Sequence, residues 1–281
     1  MINVVALLHP KVPPRAIEPF RRACPDVALR ENIEVSADLD AALIFGGDGT
    51  VHRHLAQLHR HNIPVLVVPK GSGNDFAKAL GIRNEPTALR AWKEFCSTRK
   101  NIREIDLGVI RKEQTEILFA CVAGMGLDSA ANARANRMSP WLRGSVGYFL
   151  AALQVLPLFQ PLEIASLSRG QDARGPAFFV AVANAHRYGG GMRVAPHAEL
   201  DDGLLDICRV EQMSKWKLLC CVPTIFFGAH LRIKQVRYFQ TAMIRIEAAG
   251  PLEVYADGEY ACRTPVEVAV LPRALSVIVP A

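Results

Sequence analysis

The sequence predicts an α/β N-terminal domain built on a parallel sheet, followed by a β-rich, antiparallel, sandwich-like C-terminal domain. Three observations carry this. Apolar runs and helical patterns alternate over roughly the first hundred residues, the rhythm of a parallel sheet with helices on both sides. From about residue 102 the texture changes to short strand-like runs, many followed by Gly, Pro, Asn or Asp. Two of the early apolar runs end in glycine-rich turns, AALIFGGDGTV at 41–51 and PKGSGNDFAK at 69–78. The division is placed at 1–104 and 105–281.

Taken in order, Asn3–Leu8 reads as a strand and Pro14–Ala23 as a short helix. Ala41–Phe45 is a strand covered on both faces, because a continuous apolar run bounded by glycine fits that setting. Val51–His61 is a helix with Val51, Leu55 and Leu58 on one face. Pro64–Pro69 is another buried strand, Asp75–Leu80 opens a helix, and Pro86–Phe95 continues the helical character. The later strands are expected at Ile102–Ile110, Ile117–Val122, Leu162–Ser168, Ala177–Ala183, Gly203–Val210, Val236–Phe239, Ala242–Ala248, Leu252–Ala256, Pro265–Val270 and Leu275–Val279. Helices are expected among them at 128–136, 141–156 and 214–229.

The bulk properties set bounds. The 281 residues are 50% hydrophobic and 21% charged, so the chain can bury a core and is not disordered. The net charge of +6 suits either plain solubility or attraction to an anionic substrate or membrane surface. No basic run is longer than two residues, as at Arg21-Arg22, which argues against nucleic acid as a partner. The seven cysteines are odd in number and without a CxxC, and read as reduced thiols of a cytosolic protein. MINVVALLHP has neither a basic start nor a small-residue cleavage site, so no signal peptide is expected. The most apolar stretches, Val146–Phe159 and Leu218–Ala229, fall short of the ~20 residues that a bilayer span needs. They read as buried helices, or as a wall for an apolar substrate. His52, His54, His59 and His61 cluster, but the i, i+2 spacing of the first two does not share a helix face, so solvated positions are expected rather than zinc.

The chemistry concentrates in the two turns. Gly46 and Gly47 leave no Cβ against a closely approaching group. Thr50 is a candidate cap for the helix that follows, and Asp48 is the one charged group in the turn. Strand, tight turn and helix N-terminus together point backbone N–H groups at an anion. The second turn repeats the plan with Gly71 and Gly73, and with Asn74 or Asp75 as helix cap. Ligands of open α/β sheets bind beyond the carboxyl ends of strands, where both turns lie. Neither turn is a Walker A loop or a GxGxxG fingerprint.

GGDGT followed by GSGNDFA resembles the diacylglycerol kinase catalytic domain family, which includes bacterial lipid kinases and relatives of sphingosine kinase. NAD kinases share the GGDG turn but lack the GxGND element. DLG at 106–108, GMGLDS at 124–129, YGGGMRVAPHAELDDGLLD at 188–206 and ADGEY at 256–260 resemble family segments in the expected order. The resemblance implies an NAD kinase/diacylglycerol kinase-like fold, with ATP on the first domain, a lipid pocket in the second and an active site in the cleft. By it, Gly46, Gly47, Asp48, Gly49 and Thr50 hold the phosphates, and Gly71, Ser72, Gly73, Asn74 and Asp75 complete the nucleotide cradle. Asp48 orders magnesium or a basic partner near the γ-phosphate, or holds its own Asp-Gly turn. Asp257 is the candidate general base for the acceptor hydroxyl and Glu259 assists, while a hairpin turn is the plainer reading of Asp257-Gly258-Glu259. The resemblance also implies a structural magnesium ion at the carboxylate of Asp202 and the backbone carbonyls of Glu199 and Leu204, while another Asp-Gly turn is the plainer reading.

The chain departs from the family in three places. Its first strand ends in LLHPKVPP rather than an Asn-Pro-x-x-Gly turn. His52-Arg53 stands where Asn-Glu is common, and Lys70 replaces an apolar residue. The expected activity is ATP- and Mg²⁺-dependent phosphorylation of a diacylglycerol-like lipid hydroxyl. The alternatives are a kinase of a soluble small molecule, and an inactive nucleotide- or lipid-binding relative. Transient contact with a membrane surface is expected, with a cytoplasmic location peripheral to the inner membrane face. Edge strands of the β-rich half would allow a homodimer.

Overall fold

The computed structural model describes residues 2–24, 27–30, 39–136 and 145–280. The chain divides into two units, Met1–Asp106 with Arg273–Ala281, and Leu107–Pro272.

The first unit holds β1 (Ile2–Leu8), α1 (Glu18–Ala23), β2 (Val27–Arg30), β3 (Ala41–Gly46), α2 (Asp48–Arg60), β4 (Val65–Pro69), α3 (Asp75–Ala79) and α4 (Glu85–Thr98). The strands run parallel in the order β4-β3-β1-β2. All six residues of β3 are buried, as a two-sided apolar run requires. Val51, Leu55 and Leu58 form the buried face of α2. Phe20 of α1 meets Phe45 of β3 edge-on at 5.1 Å, and the Trp92 indole of α4 donates to the Phe20 carbonyl at 3.1 Å. Burying one such aromatic contributes about 1.5–3 kcal/mol. The short β2 sits in a stretch that the sequence reading left without an element; the rest of 25–38 lies outside the described residues.

The second unit holds β6 (Thr115–Phe119), β7 (Val122–Gly126), α5 (Leu127–Asn136), α6 (Ser145–Val155), β8 (Leu162–Leu167), β9 (Ala173–Ala183), β10 (Leu205–Glu211), α7 (Lys215–Ile225), β11 (Val236–Thr241), β12 (Met243–Ala248), β13 (Glu253–Ala256) and β14 (Glu259–Arg263). Its first and last strands, β5 (Ile102–Lys112) and β15 (Val266–Ile278), begin and end in the first unit. Antiparallel pairing dominates, in the order β14-β13-β7-β9-β8-β12-β15, with β10 joining β9 to β11. Phe119, Met125, Val180, Ile207, Ile244 and Val268 belong to one buried cluster between these strands.

Several expectations need correction. Ile117–Val122 is not one strand: it breaks between β6 and β7, because the N–H groups of Ala120, Cys121 and Val122 turn to the Asp257 carboxylate at 2.8, 2.8 and 3.1 Å. Pro265–Val270 and Leu275–Val279 are one strand, β15, whose Val277 pairs with Val65 in the first unit. The sequence division kept this end with the second domain. β14 was not foreseen as a strand; it returns from β13 through Asp257-Gly258, whose φ angles of 50° and 89° suit a two-residue hairpin. The helix expected at 214–229 is α7 alone, capped by the Ser214 hydroxyl accepting from the Lys217 N–H at 3.3 Å and followed by Gly228 at φ 73°. Of the helix expected at 141–156, residues 141–144 lie outside the described residues.

Candidate functional site

In the first unit the two glycine turns meet. A Cβ on Gly47 would come 2.9 Å from the Gly71 Cα, and one on Gly71 would come 2.6 Å from the Gly47 Cα. Only a residue without a side chain fits either position. Gly46 is glycine for another reason: a Cβ there would lie 2.3 Å from the Thr50 hydroxyl. Thr50 is therefore not the helix cap. It is buried in the first turn of α2, over the end of β3, and Gly47 is the N-cap residue.

Asp48 reaches across to the other turn. Its carboxylate accepts the N–H groups of Asp75 at 3.2 Å and Phe76 at 3.0 Å, and so caps α3 from 27 residues away. Neither Asn74 nor Asp75 caps that helix with its side chain. Asn74 stands at φ 53° and closes its own turn, with its side-chain oxygen accepting from the Gly71 N–H at 2.8 Å and its amide donating to the Gly71 carbonyl at 2.7 Å. Lys78 donates to the Gly73 carbonyl at 2.7 Å, with Ser72 between these two fastened glycines. Asp75 is buried at the start of α3. Lys70 pairs with Glu85, so its charge is partly spent, while Arg53 is exposed on α2. Asp48, Gly49 and Thr50 form the first turn of α2, where the Thr50 N–H donates to the Gly47 carbonyl at 2.9 Å. A 13-residue helix adds its dipole there, which favours an anion.

In the second unit the polar site is built around an acid that the sequence reading did not single out. Asp128 lies in the first turn of α5, within GMGLDS. A Cβ on Gly124 would sit 1.7 Å from one Asp128 oxygen, so that glycine makes the space for the carboxylate. One turn on, the Asn132 amide donates to the Tyr188 hydroxyl at 2.7 Å and approaches the same Asp128 oxygen at 3.4 Å. The Tyr188 hydroxyl also points at Asp128, at 3.5 Å. Burial, and then the Asp128 charge, hold the Tyr188 phenol well above its ordinary value, so it stays a neutral donor. The Asp257-Gly258 turn is adjacent: a Cβ on Gly258 would lie 3.9 Å from the Asn132 side-chain oxygen. Asp257 accepts three backbone N–H groups there, and Glu259 is exposed at the start of β14.

Asp128 and Tyr188 also line a cavity of about 80 Å³ whose other walls are apolar. Leu127 and Ala131 of α5, Phe179 and Ala181 of β9, and Leu218, Cys221, Val222 and Ile225 of α7 contribute. This arrangement accepts an apolar chain and offers a carboxylate and a phenol to a hydroxyl at one point of its wall. The signal for Asp128 was present in the sequence: Asp and Asn four residues apart on one helix, inside a glycine motif already quoted. Tyr188 arrives from another element, and no linear pattern joins them.

The loop of Glu199, Asp202 and Leu204, where a magnesium ion was expected, lies between β9 and β10. One Asp202 oxygen accepts the Leu204 N–H at 2.9 Å, and the other accepts the Gln240 amide at 3.2 Å. The same amide reaches Asp206 at 3.3 Å. Burial raises the Asp206 carboxyl above its usual range, and the Asp202 charge adds to this. Among the described residues no three His, Cys, Asp or Glu side chains gather closely enough to hold a metal. The Asp202 and Asp206 carboxylates are bridged by the Gln240 amide, and carboxylate oxygens are the donors a hard cation takes. Glu199 is exposed in that loop.

Comparison with known proteins agrees with this architecture. Residues 7–110 match the Diacylglycerol kinase catalytic domain, and residues 121–279 match the YegS C-terminal NAD kinase beta sandwich-like domain. A diacylglycerol kinase of Mycobacterium tuberculosis is 36% identical over 254 residues, 88% of this chain and 79% of that protein. The crystal structure of a diacylglycerol kinase from Bacillus anthracis superposes with a TM-score of 0.76 at 22% identity, covering 99% of this chain and 96% of that one. An NAD kinase from Archaeoglobus fulgidus, solved in complex with ATP, superposes at 0.59 with 14% identity, covering 99% and 94%. With both of its parts matched, in the order its motifs foretold, the chain belongs to the diacylglycerol kinase catalytic domain family.

Proposed function

We propose that the protein transfers the γ-phosphoryl group of ATP to the hydroxyl of a diacylglycerol-like lipid, with Mg²⁺ as the metal. The observation that carries this is the apolar cavity with Asp128 and Tyr188 in its wall, since a hydroxyl on an apolar chain is the ligand such a wall selects. The M. tuberculosis relative, named as a diacylglycerol kinase, supports the same acceptor, and the ATP complex of the A. fulgidus enzyme supports the donor.

The residues divide the work as follows. Gly46, Gly47, Gly49 and Thr50 with Gly71, Ser72, Gly73 and Asn74 hold the phosphates through their backbone and turn geometry. Asp48 fixes α3 against α2, and with Asp75 brings negative charge for a cation on the phosphates. Magnesium, when bound there, neutralises charge developing on the transferred group. Asp202, with the carbonyls of Glu199 and Leu204, would hold a second ion, whose charge would steady the loop before β10. Asp128 and Tyr188 orient the acceptor hydroxyl. Asp257 takes its proton as the oxygen bonds to phosphorus and the ADP oxygen leaves, with Glu259 assisting. Phosphoryl transfer asks for positioning and charge more than for covalent chemistry, which this allocation supplies.

The test is transfer of labelled phosphate from ATP with Mg²⁺ to a panel of lipids in mixed micelles, with Asp48→Asn and Asp257→Asn as controls. A labelled lipid formed by the wild type and lost in folded variants supports the reading. Labelling of soluble acceptors alone, or of none with ATP bound, overturns it.

A further inference from the structure

Helix α7 is apolar on two faces. Leu218, Cys221, Val222 and Ile225 recur at i, i+3, i+4 and i+7 and line the cavity. The opposite side carries Trp216, Leu219 and, just past the helix, Phe226 and Phe227. Trp216 is 79% exposed and Phe227 is 83% exposed. A surface helix normally sets a charged face against water, and one that is apolar all round has a partner on each side. The loop after α6 extends the same surface: the Lys215 ammonium donates to the Pro157 carbonyl, and the next residue, Leu158, is 84% exposed. Of the nine exposed large hydrophobics among the described residues, six lie on α6, α7 or the segments that follow them.

The segments that carry this surface have charge of one sign. Between Glu211 and Glu247 the sequence has no Asp or Glu, while Lys215, Lys217, Arg232 and Lys234 are all exposed. Between Asp128 and Glu163, the stretch that carries Leu158, there is again no acid. Aromatic and aliphatic side chains fringed by cations match a bilayer interface with anionic headgroups, where Trp settles at headgroup depth. A second protein chain with an acidic rim is the competing occupant. The continuity of α7 decides between them, because the helix that would touch the bilayer also forms the wall of the cavity for its lipid.

We infer that the outer face of α7, with Leu158, is the surface by which the protein seats itself on an anionic bilayer. This deepens the lipid-acceptor reading and rests on it. No residue of this surface belongs to the catalytic or nucleotide-binding set, and Trp216 and Phe227 do not line the cavity.

Vesicle flotation without nucleotide tests it, using phosphatidylcholine alone and phosphatidylcholine mixed with phosphatidylglycerol. The wild type should float with the mixed vesicles, and the Trp216→Ser/Phe227→Ser variant should bind them at least roughly tenfold more weakly. Lys215→Gln/Lys217→Gln should lose roughly tenfold at low salt and little at high salt. Turnover of a short-chain diacylglycerol kept below its micellar concentration should be unchanged in the aromatic variant, and turnover of vesicle-embedded diacylglycerol should fall. Equal flotation of wild type and aromatic variant, or no flotation of a folded wild type, overturns the inference. So does a wild-type dimer that the aromatic substitutions dissociate without changing flotation. Flotation that depends on Trp216 and Phe227 in a protein that phosphorylates no lipid keeps the surface and removes the kinase reading instead.

Discussion

The two glycine turns of the first unit and the Asp128 cavity of the second are polar sites made in opposite ways. The turns are local. Each is a strand end, a few residues and a helix start, and they meet because β3 and β4 are neighbours in register, with Gly46 opposite Pro69. Their chemistry lies in backbone N–H groups, and the one prominent side chain, Asp48, spends its carboxylate capping α3. The cavity is assembled from α5, β9, α7 and the loop of Tyr188, and its chemistry lies in side chains. Asp257 resembles Asp48 more than Asp128: it too gives its oxygens to backbone N–H groups far along the chain. Asp48 and Asp257 thus both hold backbone N–H groups of distant segments, whereas Asp128 faces the cavity.

That contrast breaks if Asp128 proves dispensable. Asp128→Asn should lower kcat/KM for diacylglycerol by roughly a hundredfold or more while ATP affinity stays within about twofold, as judged by steady-state kinetics and nucleotide titration. Gly124→Ala should reproduce the loss, because its methyl takes the place of the carboxylate oxygen. Gly71→Ala should do the reverse. By forcing the turns apart it should weaken ATP binding about tenfold and cost about 1–3 kcal/mol in a denaturant titration, with acceptor KM little changed.

Asp257→Asn sharpens the frame side of the comparison. Replacing one acceptor oxygen by an amide leaves buried N–H groups of the Ala120–Val122 segment poorly paired, for an expected loss of about 1–3 kcal/mol by thermal unfolding. An activity loss far beyond that destabilisation would assign the carboxylate the proton as well.

The smallest effect concerns pH. Burial lowers the His230 imidazole below its ordinary 6.5, so the unfolded chain takes up the proton first as pH falls. The stability held by neutral His230 is complete above about 6.5 and is lost as pH drops from there toward the lowered folded value. His54 is shifted the same way. His230→Gln keeps a donor for the Val194 carbonyl, which the ring nitrogen contacts at 3.1 Å, and should reduce the acid slope of the melting temperature without abolishing it.

The sequence by itself determined the two-part architecture, the parallel strands β1, β3 and β4 and the glycine turns, because each rests on patterns spanning a few consecutive residues. A two-sided buried strand must be apolar throughout, and a backbone-to-backbone contact must be glycine. Only the tertiary structure decided where those turns' capping groups come from. Thr50 and Asn74 had the right residue type for capping, yet the acceptor for α3 is Asp48, supplied by the first turn of α2. It also decided that β6 and β7 are separate, since the carboxylate that interrupts them lies more than a hundred residues away. It placed Tyr188 and Asn132 against Asp128, and it showed α7 to be apolar on the side away from the cavity as well as toward it. Hydrophobic periodicity reports which residues avoid water. It does not report what each face avoids water against, because that partner is chosen by packing between segments far apart in the chain.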